Sequence, residues 1–350
     1  MSQVVDFLKR TDAGKRTVTA FGRRWVRNFF KNLGNIQHTL LYRKTDIPVI
    51  ITGSGPGLEK ALPVIQKSSK ESLVLAASSS VLALVNYGIT PDLIITADGS
   101  SWALRHIYPF FRTAANSALA ANLCAALPSQ FAGLPVLLIN DGSFWQNIVF
   151  HELALPSVLI AQKGTVTATA AELALQLSGG NIFLAGTDLS VQDIRTHVRP
   201  YSFDQLLFDS ASRFTPVYSQ SFIRSGLLKD GGSFEIYAAW FKNALASWPR
   251  RIFSLTESSV FENKERLPEE NNRGSKKGGF FEASRAESGT FTKRAAFALA
   301  AALKNGEYSS KLISELSPML FPDKKDVTAS ELEKEIFNIA ALESALAANG

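Results

Sequence analysis

The chain has 350 residues, 46% of them hydrophobic, which is enough for a large core in one large or two modest domains. Its 23 glycines and 14 prolines exclude a fibrous or wholly disordered chain, and a single cysteine, Cys124, excludes an internal disulfide and a cysteine-rich zinc site. The formal net charge of +6 invites a nucleic acid, but much of the excess lies near the start of the chain, and no nucleic-acid partner is expected.

The opening stretch, "MSQVVDFLKRTDAGKR", has no long apolar core after its charges, and no later segment offers about 18 uninterrupted apolar residues. No transmembrane segment is expected, and Cys124 reads as a small buried apolar residue. These features predict a soluble protein of a reducing compartment, most simply the cytoplasm. In "KRTDAGKRTVTAFGRRWVRNFFKNLGN", Phe21, Trp25, Phe29 and Leu33 recur every four residues, with Val26 and Phe30 widening that face. Arg23, Arg24, Arg27 and Lys31 lie opposite. The pattern predicts a helix packed on the domain with a solvated basic face; an acidic partner or a membrane surface would use the same face.

From Ile47 to about Leu189, short apolar runs alternate with helical segments: "IPVIITG", "SLVLAAS", "DLIITAD", "SALAAN", "PVLLIN", "SVLIAQ" and "NIFLAGTD". Runs of this kind suit strands buried on both faces of a parallel sheet, about six or seven of them. The expected fold class is α/β, a Rossmann-like, mostly parallel sheet flanked by helices. The runs end in small or polar groups, Gly53 and Ser54, Ala77 to Ser80, Asp98 and Gly99, Asn122, Asn140 and Asp141, and Gly186 to Asp188. One sheet edge therefore gathers them, where such sheets bind ligands.

The segment from Ser190 to Phe222 is polar, aromatic and weakly periodic, as a loop or lid would be. "GSFEIYAAWFKNALASWP" predicts a helix with Ile236, Ala239, Trp240, Ala244 and Leu245 inward, Gly232 and Ser233 capping its start and Pro249 following it. "RIFSLTESSVF" predicts one more strand. The expected organisation is a basic helical segment over 1–45, the sheet domain over 46–261, an exposed polar linker or loop over 262–289, and a helical region over 290–350.

The loop "GSGPG" after the first run asks for an anion, because glycines allow a sharp turn and the following helix offers free N–H groups. It fails as a dinucleotide fingerprint: Leu58 replaces the third glycine, and "LAASSS" ends without a carboxylate for the ribose. It fails as a P-loop, because Lys60 comes late and no Ser or Thr follows it, and Ser54 is not central as a nucleophile elbow requires. Glycines that merely let helix and sheet pack remain an alternative. His38, His106, His151 and His197 are scattered, with no metal-ligand spacing. Asp92, Asp98 and Asp188 fall near strand ends and could hold a hard cation between phosphates, or Asp92 only caps its strand.

The series "VIITGSGPGLEKALPVI", "VLAASSSVLALVNYGITPDLIITADGS", "KGTVTATAAELALQLSGGNIFLAGTDLS" and "RTHVRPY" resembles the 6-hydroxymethylpterin diphosphokinase MptE-like family, in the branch of the Maf (motility-associated factor) flagellin glycosyltransferases. "FGRRWVRNFFKNL" is similar to the segment preceding the core domain there. Gly57 stands where that pattern has serine, so that hydroxyl is missing. The loop and the Gly-x-Asp segment are also similar to bacterial sialyltransferases that use CMP-sugars.

The resemblance implies an enzyme, a transferase moving a nonulosonic (sialic-acid-like) sugar from a CMP-activated donor to Ser or Thr of a protein acceptor, flagellin. By it, Gly53, Ser54, Gly55, Pro56, Gly57, Ser78, Ser79, Asp98, Thr165, Thr167 and Gly186 bind the nucleotide or donor. Asp188 and His197 are the expected catalytic residues, His197 as a base of near-neutral pKa, or else an exposed loop histidine. No resident cofactor or metal is implied by this reading. The alternatives are a diphosphokinase using ATP and Mg²⁺, or an inactive nucleotide-binding interaction protein.

Overall fold

A computed structural model describes residues 2–113, 117–229, 233–248, 251–258, 260–262, 280–285 and 290–348. The chain opens with α1 (Ser2–Asn35) and β1 (His38–Tyr42). It continues as β2 (Val49–Thr52), α2 (Leu58–Ser68), β3 (Leu73–Ala77), α3 (Val81–Asn86), β4 (Leu93–Thr96), α4 (Leu104–Thr113), β5 (Ala118–Asn122) and β6 (Pro135–Asn140). Then come α5 (Phe144–Glu152), β7 (Val158–Leu159), α6 (Val166–Leu177), β8 (Ile182–Ala185), α7 (Asp204–Asp209), α8 (Val217–Lys229), α9 (Ser233–Leu245) and β9 (Ile252–Ser254). The last elements are β10 (Phe281–Arg285), α10 (Phe291–Lys304), α11 (Gly306–Leu320) and α12 (Ala329–Ala348).

The strands form one sheet in the order β10-β1-β6-β5-β4-β3-β2-β8-β9, with β7 also pairing β6. Every pair is parallel except β1 with β10. The α/β fold is therefore as expected, but ten strands among the described residues replace the six or seven in the apolar runs and the one after them. The additions lie at one edge: β1, "HTLLY", is partly exposed, and β10, "FEASR", is largely exposed. β10 is the edge strand and β1 lies beside it, pairing β6 over two residues only; strands so partly exposed need no continuous apolar run, so neither signals itself by one. β10 also corrects the reading of its segment as loop; residues 263–279 and 286–289 of the expected linker lie outside the described residues.

Alternation along the strands splits the core. Ile50, Val74, Ile94, Leu138 and Phe183 face one hydrophobic cluster together with residues of α1, α2, α5, α10, α11 and α12. Ile51, Leu75, Ile95, Leu137 and Leu184 face the other, covered by α6 and α9. The terminal helices thus share a core with the sheet, Phe29 and Phe30 of α1 being fully buried in it.

The face opposite is not simply solvated as expected. Arg23 pairs with Glu335 of α12, and Arg27 Nε donates to the buried Glu343 at 2.8 Å. Asn32 Nδ2 donates to Leu123 O and Ala125 O, both at 2.8 Å, and Asn28 Nδ2 to Gly99 O and Cys124 O. These bonds fix the turns after β4 and β5. In α9 the inward anchor is the fully buried Phe241; Ile236, expected inward, is exposed. Gly232 and Pro249, its expected caps, lie outside the described residues.

Candidate active site

The carboxyl ends of β2, β3, β4, β5, β6 and β8 open into a cavity of about 700 Å³. From β2 the chain steps through β3, β4, β5 and β6 in one direction, then crosses back to place β8 on the other side of β2. Such a reversal splays the connecting loops apart and leaves a crevice above the strand ends. Ser54, Gly55, Ser78, Ser79, Asp98, Thr165, Thr167, Gly186 and His197 all line it.

Gly53, Pro56, Gly57 and Asp188 do not line it. Gly53 N donates to Ala185 O and Gly55 N to Gly186 O, each at 2.8 Å, which straps the loop to the end of β8. Gly57 N donates to Asp188 Oδ2 at 2.5 Å, and Thr256 Oγ1 donates to Asp188 Oδ1 at 3.2 Å. The next amides close the first turn of α2: Leu58 N bonds Gly55 O, Glu59 N bonds Pro56 O, and Lys60 N bonds Gly57 O. The anion at this helix start is therefore the chain's own buried Asp188 carboxylate. This differs from both expectations: the Gly57 amide is taken by the chain's own carboxylate, and Asp188 is buried behind the loop and does not line the cavity. Burial raises its pKa, opposed by the Gly57 and Thr256 hydrogen bonds and by Lys60. A Cβ on Gly57 would run into Asp188 Oδ1, so the missing serine follows from this close approach.

The helix start that does meet the cavity is that of α6. Thr165 caps it, its Oγ1 accepting from Ala168 N at 3.0 Å. Val166 and Thr167, whose amides are among those a helix leaves without an internal acceptor, line the wall. Gly164 supplies the positive φ of +76° that turns the chain into the helix.

His106 is brought in from α4, and sequence spacing gave no sign of it. His197 stacks on Tyr201 with ring centroids 4.1 Å apart, and His106 meets the same ring at 5.3 Å. The strap carrying His197 and Tyr201 is held by Val198 N donating to Ser54 O at 2.8 Å and by Arg195 paired with Glu59. His197 is thus packed, not an exposed loop histidine, and its Nδ1 lies 2.8 Å from Thr196 Oγ1. Burial, aided by Arg224 and His106, lowers its pKa to about 3, which corrects the near-neutral expectation. Burial lowers His106 to about 4 against the raising effect of Asp98, with Arg224 also lowering it. Both rings are neutral at pH 7.

The sign of this linkage is definite. Both folded values lie below the ordinary 6.5, so on acidification the unfolded chain binds protons first. Stability is full above about pH 6.5 and falls as the pH drops toward the folded values, by on the order of a few kcal/mol in total. Urea titrations across that range should show this slope in the wild type and a flatter one in His106→Gln/His197→Gln.

Asn122, Asp141, Lys163, Tyr237 and, from α1, Trp25 also line the cavity. Asp141 Oδ2 accepts from Gln146 and Gln162, and Lys163 pairs with Glu172 at 2.7 Å. His106 Nδ1 and Thr187 Oγ1 are buried with no hydrogen-bond partner among the described residues. The three carboxylates proposed for a cation do not converge. Asp92 sits before β4, at the opposite sheet edge from Asp98, with Oδ2 accepting from Val74 N at 2.7 Å. Among the described residues no three His, Cys, Asp or Glu side chains group as a metal site. Nor is any helix there long and apolar enough to cross a membrane.

The comparisons agree with this architecture. Two proteins of Treponema pallidum (strain Nichols), both described as uncharacterized, are similar: one is 31% identical over 228 residues, 63% of this chain and 47% of its own. The other is 26% identical over 221 residues, 58% of this chain and 37% of its own. The chain thus spans less than half the length of either. The solved structure of the Maf glycosyltransferase from Magnetospirillum magneticum AMB-1 shares the fold, with a TM-score of 0.55 at 15% identity, covering 93% of this chain and 54% of that one. Residues 23–193 match the model of the family described as 6-hydroxymethylpterin diphosphokinase MptE-like.

Proposed function

We propose that the chain is a glycosyltransferase that moves a nonulosonic sugar from a CMP-activated donor to a Ser or Thr hydroxyl of a protein, flagellin being the acceptor named by resemblance. The observation that carries this reading is the character of the cavity. Its polar groups are mainly hydroxyls, amides and neutral imidazoles, set among apolar side chains such as Trp25, Ile139 and Phe241, with one lysine already paired and the carboxylates Asp98 and Asp141. That lining suits a sugar and a single phosphodiester; a triphosphate would lack cations. For the same reason a diphosphokinase is disfavoured, since the carboxylates do not converge for Mg²⁺ and no step is routed through a metal.

In the proposed reaction the acceptor oxygen bonds to the anomeric carbon, the bond from that carbon to the phosphate oxygen breaks, and CMP leaves. The departing phosphate is stabilised at the start of α6. The hydroxyl proton passes to an imidazole. His106 is the better acceptor of the two, because the Asp98 carboxylate favours its charged form, whereas His197 feels only Arg224 and His106. His197 then holds Tyr201 and hydrogen-bonds to substrate. Incubation with CMP-nonulosonate and flagellin should add the mass of one sugar residue per modified Ser or Thr; no transfer together with AMP release from ATP and a pterin alcohol would favour the diphosphokinase instead.

A further inference from the structure

At the end of β5 the cavity meets an amide that the fold leaves half used. Asn122 is 6% exposed, and its Oδ1 accepts from Cys124 N at 2.7 Å. A backbone N–H can only donate, so that bond fixes the side chain with its carbonyl toward Cys124 and its NH2 group the other way. Asn122 lines the cavity, and its NH2 has no partner among the described residues. A buried amide donor held in place and left unbonded marks a spot where a ligand supplies the acceptor.

The neighbouring strand end offers the opposite kind of group. Asp141 Oδ1 accepts from Ser143 N at 2.9 Å, and its Oδ2 accepts from Gln146 Nε2 at 2.9 Å and from Gln162 Nε2 at 3.0 Å. A carboxylate only accepts, so Gln162 gives it the NH2 and turns its own carbonyl away, with no partner for that oxygen among the described residues. The fully buried Gln146 joins the two halves, because its Nε2 also reaches Cys124 Sγ at 3.3 Å. One network therefore presents a donor at Asn122 and two acceptors, Gln162 Oε1 and the Asp141 carboxylate, to the same cavity. Ile139, in register with Asn122 where β5 pairs β6, and Ile160 add apolar surface to that wall.

Apolar surface beside one donor and two acceptors suits a planar heterocycle that carries a ring acceptor next to an exocyclic amino group, whose two hydrogens serve the two acceptors. Cytosine has this edge. Uracil puts a carbonyl oxygen where the amino group would be, acceptor against acceptor. Gln162 lies three residues before Thr165, the cap of α6, and three residues span at most about 11 Å, so base and phosphate positions fall within the reach of one mononucleotide. We infer that Asn122, Asp141 and Gln162 form the base subsite of the donor and select cytosine over uracil by its amino group. This rests on the glycosyltransferase reading.

Calorimetric titration of the full chain with CMP, UMP and AMP tests the assignment. The wild type should bind CMP at least about a hundredfold more tightly than UMP, as a site built to pair an amino group rejects the analogue lacking it. Gln162→Met, a change at an exposed side chain, should weaken CMP about tenfold and leave UMP no weaker, so the preference shrinks. Asn122→Asp keeps the bond from Cys124 N and removes only the donor, so it should weaken CMP and UMP alike by about tenfold. Equal affinity of the wild type for CMP and UMP, or an unchanged ratio in Gln162→Met, overturns the subsite while leaving the transferase standing. AMP bound as tightly as CMP overturns the choice of cytosine. A wild type that binds no cytidine nucleotide overturns the underlying function as well.

Discussion

Gly57→Ser, which installs the residue of the resembled family pattern, is expected to destabilise the protein by about 1–3 kcal/mol and to weaken donor binding. The new Cβ would meet Asp188 Oδ1, and the carboxylate cannot retreat without giving up the Gly57 amide and the Thr256 hydroxyl. Displacing either partner moves Ser54 and Gly55, which do line the cavity. Asp188→Ala is expected to cost about 1–3 kcal/mol by leaving the Gly57 N–H buried and unpaired. The double variant should lose less than the sum of the two, because removal of the carboxylate relieves the clash. Urea denaturation of the four proteins measures the coupling. Strict additivity would mean that the Gly57–Asp188 contact does not organise the loop.

His106→Gln is expected to lower the rate of sugar transfer by about 10²- to 10⁴-fold, the usual range for losing a proton acceptor. Donor affinity should change little, since glutamine keeps a hydrogen-bonding group near the same place. His197→Gln should act differently. Its Nδ1 is engaged with Thr196 and its ring is stacked on Tyr201, so the loss should appear in binding as well as in rate. Steady-state kinetics on both variants separates these roles. A His106→Gln enzyme with wild-type kcat would assign the proton transfer elsewhere.

The sheet core was legible because its strands are buried on both faces, which forces continuous apolar runs such as "LVLAA" and "VLLIN". β1 and β10 were not, since β10 is the edge strand and β1 beside it is partly exposed, and neither place imposes such a run. The cavity was legible through the polar ends of those strands. What occupies the crook of "GSGPG" was not, because Asp188 lies 131 residues along the chain from Gly57 and meets it only through the pairing of β2 with β8. His106 escaped for a related reason. It sits in an ordinary amphipathic helix, and only the strap from residue 195 to 203 brings His197 and Tyr201 against it.

The proposed seating of the donor phosphate at the start of α6, in a cavity poor in cations, makes one demand on binding. Calorimetric titration of the protein with CMP, a CMP-nonulosonate, ATP and GTP tests it directly. The cytidine ligands should bind without added metal, and Thr165→Ala, which removes the cap of α6, should weaken them. Tight binding of ATP or GTP with no measurable affinity for either cytidine ligand would contradict the account.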